Sequence, residues 1–389
     1  MDSSIFRHGK VKIQVLKGER PPFNGWTSWA VDHDAQRAYV YGGSRPGDSL
    51  EGRIPNNDLY VLDLKNDSST WERLHTQLRY HPSDSTFDQT VPNRPFPALR
   101  HSAITFYVMG GRKFLFIFGG YSMSGPTSEL FAIDIAQGVW FDVPIQEGSR
   151  SVSPRLDSAI AFVGNRLYIF GGRSDFDDPV DGCILRSYSI AEYSISTQNQ
   201  EWKWICTDQP YPTMVPNLGF ALQVVSMPEM NRILIFPGRE GYSKPFYITQ
   251  PKVLAFSTDD HSFAIAPFQV PTNDFPLEVM GYDVHRIYTN PASSQLILFT
   301  AWSILMTDKG GDVVPEMWLC NPSPSGQSWK RQGLRKITCG LMKDHELDLN
   351  KAITCHGRVL FLGRRRNGIT YVYPPHDATW DVLVEMVPK

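Results

Sequence analysis

The chain has 389 residues, 41% of them hydrophobic and 12% aromatic, with a formal net charge of -2. A near-neutral total argues against nucleic acid, and only one short basic run, Arg364-Arg365-Arg366, stands in the chain with no basic stripe around it. No run of 18 apolar residues predicts a membrane-spanning helix, and no lipidation or amphipathic signal points to a membrane surface.

The N-terminal MDSSIFRHGKVKIQV has no apolar core of the kind that a secretory signal needs. The five cysteines, Cys183, Cys206, Cys320, Cys339 and Cys355, are odd in number and include no CxxC pair, as expected for free thiols in a reducing compartment. A cytoplasmic location is expected from these features.

The first strand candidate is VKIQVLKG from Val11. An apolar run then ends in a glycine pair, Tyr39-Val40-Tyr41-Gly42-Gly43, followed by a loop, the strand-like NDLYVLDL from Asn57, and Trp71. The same unit returns as Phe116-Ile117-Phe118-Gly119-Gly120, SELFAIDI from Ser128 and Trp140. It returns again as Tyr168-Ile169-Phe170-Gly171-Gly172, RSYSIAEYSI from Arg186, and Trp202 or Trp204. Weaker copies follow. RILIFPG places Pro237-Gly238 at the pair, QLILFTA places Thr300-Ala301, and RVLFLG places Leu362-Gly363. The segment from Arg79 to Pro97 is polar and proline-broken and is expected to be a loop.

This pattern of apolar run, glycine pair, polar loop, tyrosine-bearing strand and tryptophan resembles the kelch repeat. The resemblance implies an all-β propeller in which each repeat is one four-stranded blade. The first pair positions fall at Gly42, Gly119, Gly171, Pro237, Thr300 and Leu362, at intervals of 77, 52, 66, 63 and 62 residues. That spacing predicts six blades in a single domain over residues 1–389, with seven blades as the alternative. Before the glycines, a near-continuous apolar run is expected to be buried between neighbouring blades. The glycines and the tryptophans Trp71 and Trp140 are then structural. Either VKIQVLKG or WDVLVEMV from Trp380 is expected to supply the outermost strand of the last blade, and the other to extend an edge.

In kelch propellers, ligand-facing residues often stand just before the first strand of a blade and just after the glycine pair. Those places hold Trp26, Arg100 and Arg155 before the strands, and Arg45, Arg173, Arg239, Arg364 and Trp302 after the pair position. Guanidinium groups converging on one mouth would focus positive potential and pair bidentately with carboxylate or phosphate. The expected ligand is an acidic peptide, including one with a free C-terminal carboxylate, or a small anionic metabolite. The bland alternative is that these arginines tie blades together, neutralised by Asp157, Asp175 and Glu240.

An enzyme working on a small molecule at the same mouth, metal-assisted or not, is the alternative function. Its first acid–base candidates are His101, Asp157, Tyr121, Glu240 and His285. His101-Ser102 resembles the His-Ser that opens many kelch blades and reads equally as a structural imidazole. No HExxH, CxxC, Walker or GxSxG motif occurs. The Glu-xxx-Asp-xxx-His iron set of nitrile-specifier-like proteins is absent, and the cysteines do not suggest the copper-radical site of galactose-oxidase-like enzymes. Asp344-His345-Glu346 with Asp348, and Glu278 with Asp283 and His285, are acidic clusters that read as loops before they read as metal sites. No cofactor is expected, and the chain is expected to be a monomer.

Overall fold

The computed structural model describes residues 10–22, 26–44, 54–65, 69–74, 77–81, 94–143, 152–175, 184–195, 200–215, 219, 221–236, 238, 253–266, 283–290, 293–300, 316–320, 330–331, 347–355, 358–365, 379–380 and 382–387. The strands among them form sheets of four main antiparallel strands in up-and-down order, two of which gain a short parallel edge, Lys17–Gly18 or Arg79–Tyr80. The first sheet runs Ser28–Asp32, Arg37–Tyr41, Leu59–Asp63 and Thr70–Arg73 from inside to outside. The second runs Ala103–Met109, Arg112–Phe118, Leu130–Asp134 and Val139–Asp142. Ala159–Val163, Arg166–Phe170, Ser187–Ile195 and Gln200–Pro210 make the third. Gln223–Met227, Arg232–Phe236, Leu254–Ser257 and Phe263–Ile265 make the fourth. A further sheet, described by its backbone pairing, holds Asp283–Asn290, Ser293–Thr300, Glu316–Cys320 and Lys330–Arg331. The last holds Leu347–Cys355, Arg358–Arg365, Val382–Val387 and Lys10–Val15. Innermost strands of successive sheets lie side by side, and Leu347–Cys355 returns beside Ser28–Asp32. The fold is an all-β propeller. Helix is confined to short 3-10 turns among the described residues, such as Pro228–Met230.

The second strand of each sheet explains the apolar runs. Side chains alternate across a strand, and here both faces meet a neighbouring sheet. Ala38 and Val40 pack with Ile353, Leu360 and Leu362 of the last sheet, while Tyr39 and Tyr41 pack with Leu115, Ile117 and Phe131 of the second. Phe116 and Phe118 join Ile169 and Leu167 of the third sheet, and Tyr168 and Phe170 join Ile233, Ile235 and Phe256 of the fourth. Each closing tryptophan packs back on the preceding sheet: Trp71 on the last, Trp140 on the first, and both Trp202 and Trp204 on the second. All four are buried. The core is thus a set of interfaces between sheets, and no sheet buries its apolar residues alone.

The glycine pair serves these interfaces as well as the turn. Gly119 has φ +62°, and a Cβ there would lie 2.4 Å from the Arg155 carbonyl oxygen of the next sheet's entry segment. The close approach allows the Gly120 N–H to donate to that same carbonyl at 2.7 Å, as the Gly43 N–H donates to Leu99 O at 3.0 Å. On the opposite face side chains staple the sheets. Lys113 Nζ reaches Asp32 at 2.7 Å, Ser226 Oγ donates to Phe162 O at 2.8 Å, and Arg358 Nη2 donates to Gln36 Oε1 at 3.0 Å and Leu64 O at 2.7 Å.

Closure differs in detail from the sequence expectation. Both terminal strand candidates enter the last sheet. Val382–Val387 is its third strand, and Lys10–Val15 pairs with it from Lys10 opposite Val387 to Val15 opposite Val382. Trp380 therefore precedes the third strand instead of closing the fourth. It is buried edge-on to Trp29, and its carbonyl accepts from Trp71 Nε1 at 3.1 Å. The expected loop after Arg79 is also partly structured. Arg79–Tyr80 lies parallel to the outer strand of the second sheet, and Phe96 packs into the interface with the first. Where the glycine pair fails at Leu362, the strand Arg358–Arg365 runs straight through it, because nothing there releases the backbone from the ladder.

Two measurements check this account. Deleting residues 10–16 opens the last sheet and lowers the melting temperature by at least about 10 °C; unchanged melting refutes the clasp. Gly110 shares the left-handed conformation of Gly119, but a Cβ there would have nothing within 4 Å. Gly110→Ala therefore costs about 1 kcal/mol and Gly119→Ala at least about 3, read from denaturant unfolding.

Candidate functional site

A central cavity of about 580 Å³ is lined by the innermost strands and the residues that enter them. At one end stand Trp26, His101, Asp157 and Ala221, each two residues before its innermost strand. Lys351 of the last sheet also reaches the cavity.

His101 and Asp157, from adjacent sheets, form one polar unit. His101 Nδ1 lies 2.5 Å from Asp157 Oδ1, and Arg173 Nε donates to Asp157 Oδ2 at 2.8 Å. Burial raises the Asp157 carboxyl, but the His101 and Arg173 contacts outweigh it and hold the group below its ordinary value. For His101, burial lowers the imidazole pKa despite the pull of Asp157, with Arg173 and Arg100 pushing the same way as burial. The imidazole is therefore neutral at pH 7. With an ionised carboxylate as acceptor, its Nδ1–H is the donor. The carboxylate offsets one guanidinium, and the unit carries little net charge.

Above it, Trp26 stacks on the His101 ring with centroids 4.6 Å apart, and the Arg100 guanidinium stands 5.5 Å from the Trp26 ring and 4.8 Å from that of Tyr121. Arg100 and Tyr121 also exchange backbone hydrogen bonds at 3.1 and 2.8 Å. A column of Tyr121, Arg100, Trp26, His101, Asp157 and Arg173 thus crosses the first three sheets at the mouth.

The arginines expected to share a mouth do not share a setting. Arg155 is fully buried. Its Nη1 donates to Gly171 O at 3.1 Å, Nη2 donates to Ser189 Oγ at 3.1 Å, and Nη2 also pairs with Asp208. Burial raises the Asp208 carboxyl, yet Ser153 and Arg155 together bring it below its ordinary value. Arg173 is 1% exposed and held by Asp157. The contrast between Arg100 and Arg155 is one of register. Arg100 stands three residues before its strand and Arg155 four, so Arg155 matches Leu99, whose carbonyl likewise accepts from a glycine of the preceding pair. A one-residue offset in an extended segment turns the side chain to the opposite side. Aligning His101-Ser102-Ala103 with Asp157-Ser158-Ala159 contains that signal, and the same alignment brings out Ala221, which inspection for charged residues passes over.

Arg364 is half-buried in Arg358–Arg365, in register with Asp348. Arg45, Arg239, Glu240, Trp302, Glu278 and Asp344-His345-Glu346 lie outside the described residues, and His285 is placed only as part of the strand Asp283–Asn290. Among the described residues no three His, Cys, Asp or Glu side chains are grouped to hold a metal ion, and no helix is long and apolar enough to cross a membrane.

Radial four-stranded sheets, glycine-pair contacts and a polar mouth define a kelch-type β-propeller. A model of the KLHDC2/KLHL20/DRC7 Kelch-repeats domain matches residues 6–238 of the sequence. The chain belongs to this Kelch-repeat family. No curated protein matches the sequence.

The Arg173–Asp157 pair yields a prediction opposite to that for a solvent-facing ligand arginine. Arg173→Ala leaves a buried carboxylate without its cation and costs on the order of 3–5 kcal/mol, measurable by denaturant unfolding. A change under about 0.5 kcal/mol assigns Arg173 to the ligand instead.

Proposed function

We propose that this propeller is a protein-interaction module that takes an acidic peptide segment at the mouth of its central cavity. The observation that carries the proposal is the Arg100 guanidinium packed on the Trp26 and Tyr121 rings, next to Trp26 and His101, which line the cavity. Arg100 is itself buried against these rings, so it acts on a carboxylate through the positive potential it lends the mouth. Lys351, which also lines the cavity, adds a second cationic group. Membership of a Kelch-repeat family supports an interaction role. The sheet from Asp283 to Arg331 is on this proposal the sixth blade. What supports this is that its inner strand Asp283–Asn290 runs beside Gln223–Met227 on one side and Leu347–Cys355 on the other.

A second reading, catalysis on a small anionic molecule in the same cavity, is favoured by the His101–Asp157 pair. A neutral imidazole oriented by a carboxylate is a general-base arrangement. Tyr121 would then stand among the groups that border the substrate.

Panning a displayed random-peptide library on the immobilised protein tests the first reading. The enriched peptides are expected to carry Asp or Glu, and Arg100→Ala to weaken the best of them by tenfold or more, about 1.4 kcal/mol. Enriched peptides with no acidic residue, or equal binding by Arg100→Ala at matched stability, refute it.

A further inference from the structure

The innermost strands begin at the mouth and run toward the opposite face, and the cavity follows them along most of their length. Its lining passes from His101 and Asp157 at the mouth to His33, Phe106, Tyr107, Phe162 and Ser226 at the far end. Tyr107 lies six residues beyond His101, roughly 20 Å of extended chain. Near the mouth, hydroxyls interrupt the wall: Ser28 Oγ donates to Ser102 O at 2.5 Å and meets Ser102 Oγ at 3.1 Å. Beyond them the described lining is mostly apolar. Trp29, Val31, Ile104, Phe106, Tyr107 and Val224 pack against the interfaces between sheets yet stay only partly buried, and each of them lines the cavity.

The rings at the far end are held in place. Tyr107 lies nearly parallel to Phe162 of the next sheet, with centroids 4.0 Å apart and planes at 13°, and its hydroxyl donates to Gly164 O. The Phe162 carbonyl accepts from Ser226 Oγ at 2.8 Å, and the Phe162 ring meets Phe116 edge-on at 4.9 Å. Lys113 Nζ stands 5.8 Å from the Phe106 centroid and is paired with Asp32 at 2.7 Å. The far end thus presents fixed aromatic surface beside charges that are spent on each other. A wall fixed in advance loses little entropy when it binds. An apolar cavity holds water poorly and favours an apolar guest, and aromatic rings favour offset or edge contacts with a further ring.

We propose that the far end of the cavity, toward the face opposite the mouth, is a second binding site, and that it takes a small neutral molecule with a flat aromatic ring. Neutrality follows from the Lys113–Asp32 pair, since a charged ligand would give up its hydration without gaining a partner there. The preference for a ring follows from Phe106, Tyr107 and Phe162. This site goes beyond the peptide reading and shares no residue with it.

Titration of the full chain with 2-naphthol, followed by saturation-transfer NMR and calorimetry, tests this. Wild type is expected to bind it saturably, with a Kd of about 100 μM or tighter. Decahydro-2-naphthol, its saturated counterpart, binds at least about fivefold more weakly. Tyr107→Phe keeps the ring and stays within about twofold of wild type, whereas Tyr107→Leu weakens the naphthol by at least about fivefold. Thr105→Trp fills the cavity between its two ends and weakens it by at least about tenfold. If Thr105→Trp fails to fold, the comparison of Tyr107→Leu with Tyr107→Phe decides alone. Absence of saturable binding by wild type overturns the inference. So does equal binding of the naphthol by Tyr107→Leu, or of the saturated counterpart by wild type. No peptide enters the assay, so failure of this inference and failure of the peptide reading are separate results.

Discussion

The Gly120 N–H to Arg155 carbonyl bond, and its counterpart from Gly43 to Leu99, set the geometry on which the rest of the molecule depends. They bring the backbone of one sheet into van der Waals contact with the entry segment of the next, a distance that only a residue without a Cβ permits. Once the entry segments are fixed to the preceding sheet, the second strands face each other at packing distance. Their alternate side chains then fill the two interfaces. Stability resides in these shared interfaces, so the strand Lys10–Val15, far from the cavity, is as much a part of the ring as the strands that line it.

The same contact explains why charged residues at the mouth have such different fates. The residue whose carbonyl is bound by the preceding glycine pair turns its side chain into its own sheet. At that place the second sheet has Leu99, and the third has Arg155, which needs Asp208, Ser189 and a backbone carbonyl to be tolerated there. The next residue along faces the neighbouring loop, where Arg100 stands beside Tyr121. The one after that bends into the left-handed region and lines the cavity. Buried cations at the first place are structural because removing a charged partner in a low-dielectric interior leaves the other uncompensated. The third place lines the cavity, and there His101 and Asp157 pair across two sheets.

Charge at the mouth is accordingly sparse and directional. Asp157 is shared between Arg173 and His101, so the third sheet presents a nearly neutral surface. Among the described residues, Arg100 and Lys351 are further cations placed at or beside the cavity lining.

Much of the architecture was legible in the chain. Tyr39-Val40-Tyr41-Gly42-Gly43 and its two sister runs identified the repeat, its strands and its tryptophans, because the demand for glycine and for apolar residues on both faces of a strand is local and leaves its mark at each copy. Side-chain direction at the entry segments was not legible in the same way. Arg100 and Arg155 look alike among arginines that precede strands, yet a single-residue offset separates a cation packed on aromatic rings from one bonded into its own sheet. The pairing of Arg173 with Asp157 joins residues 16 positions apart through two strands. The two terminal strands likewise meet only because the ring closes. The sequence by itself determined the repeat and the positions where a Cβ cannot stand. Only the tertiary structure decided which charges are neutralised and which face the cavity, because that depends on contacts between neighbouring sheets that no one repeat contains.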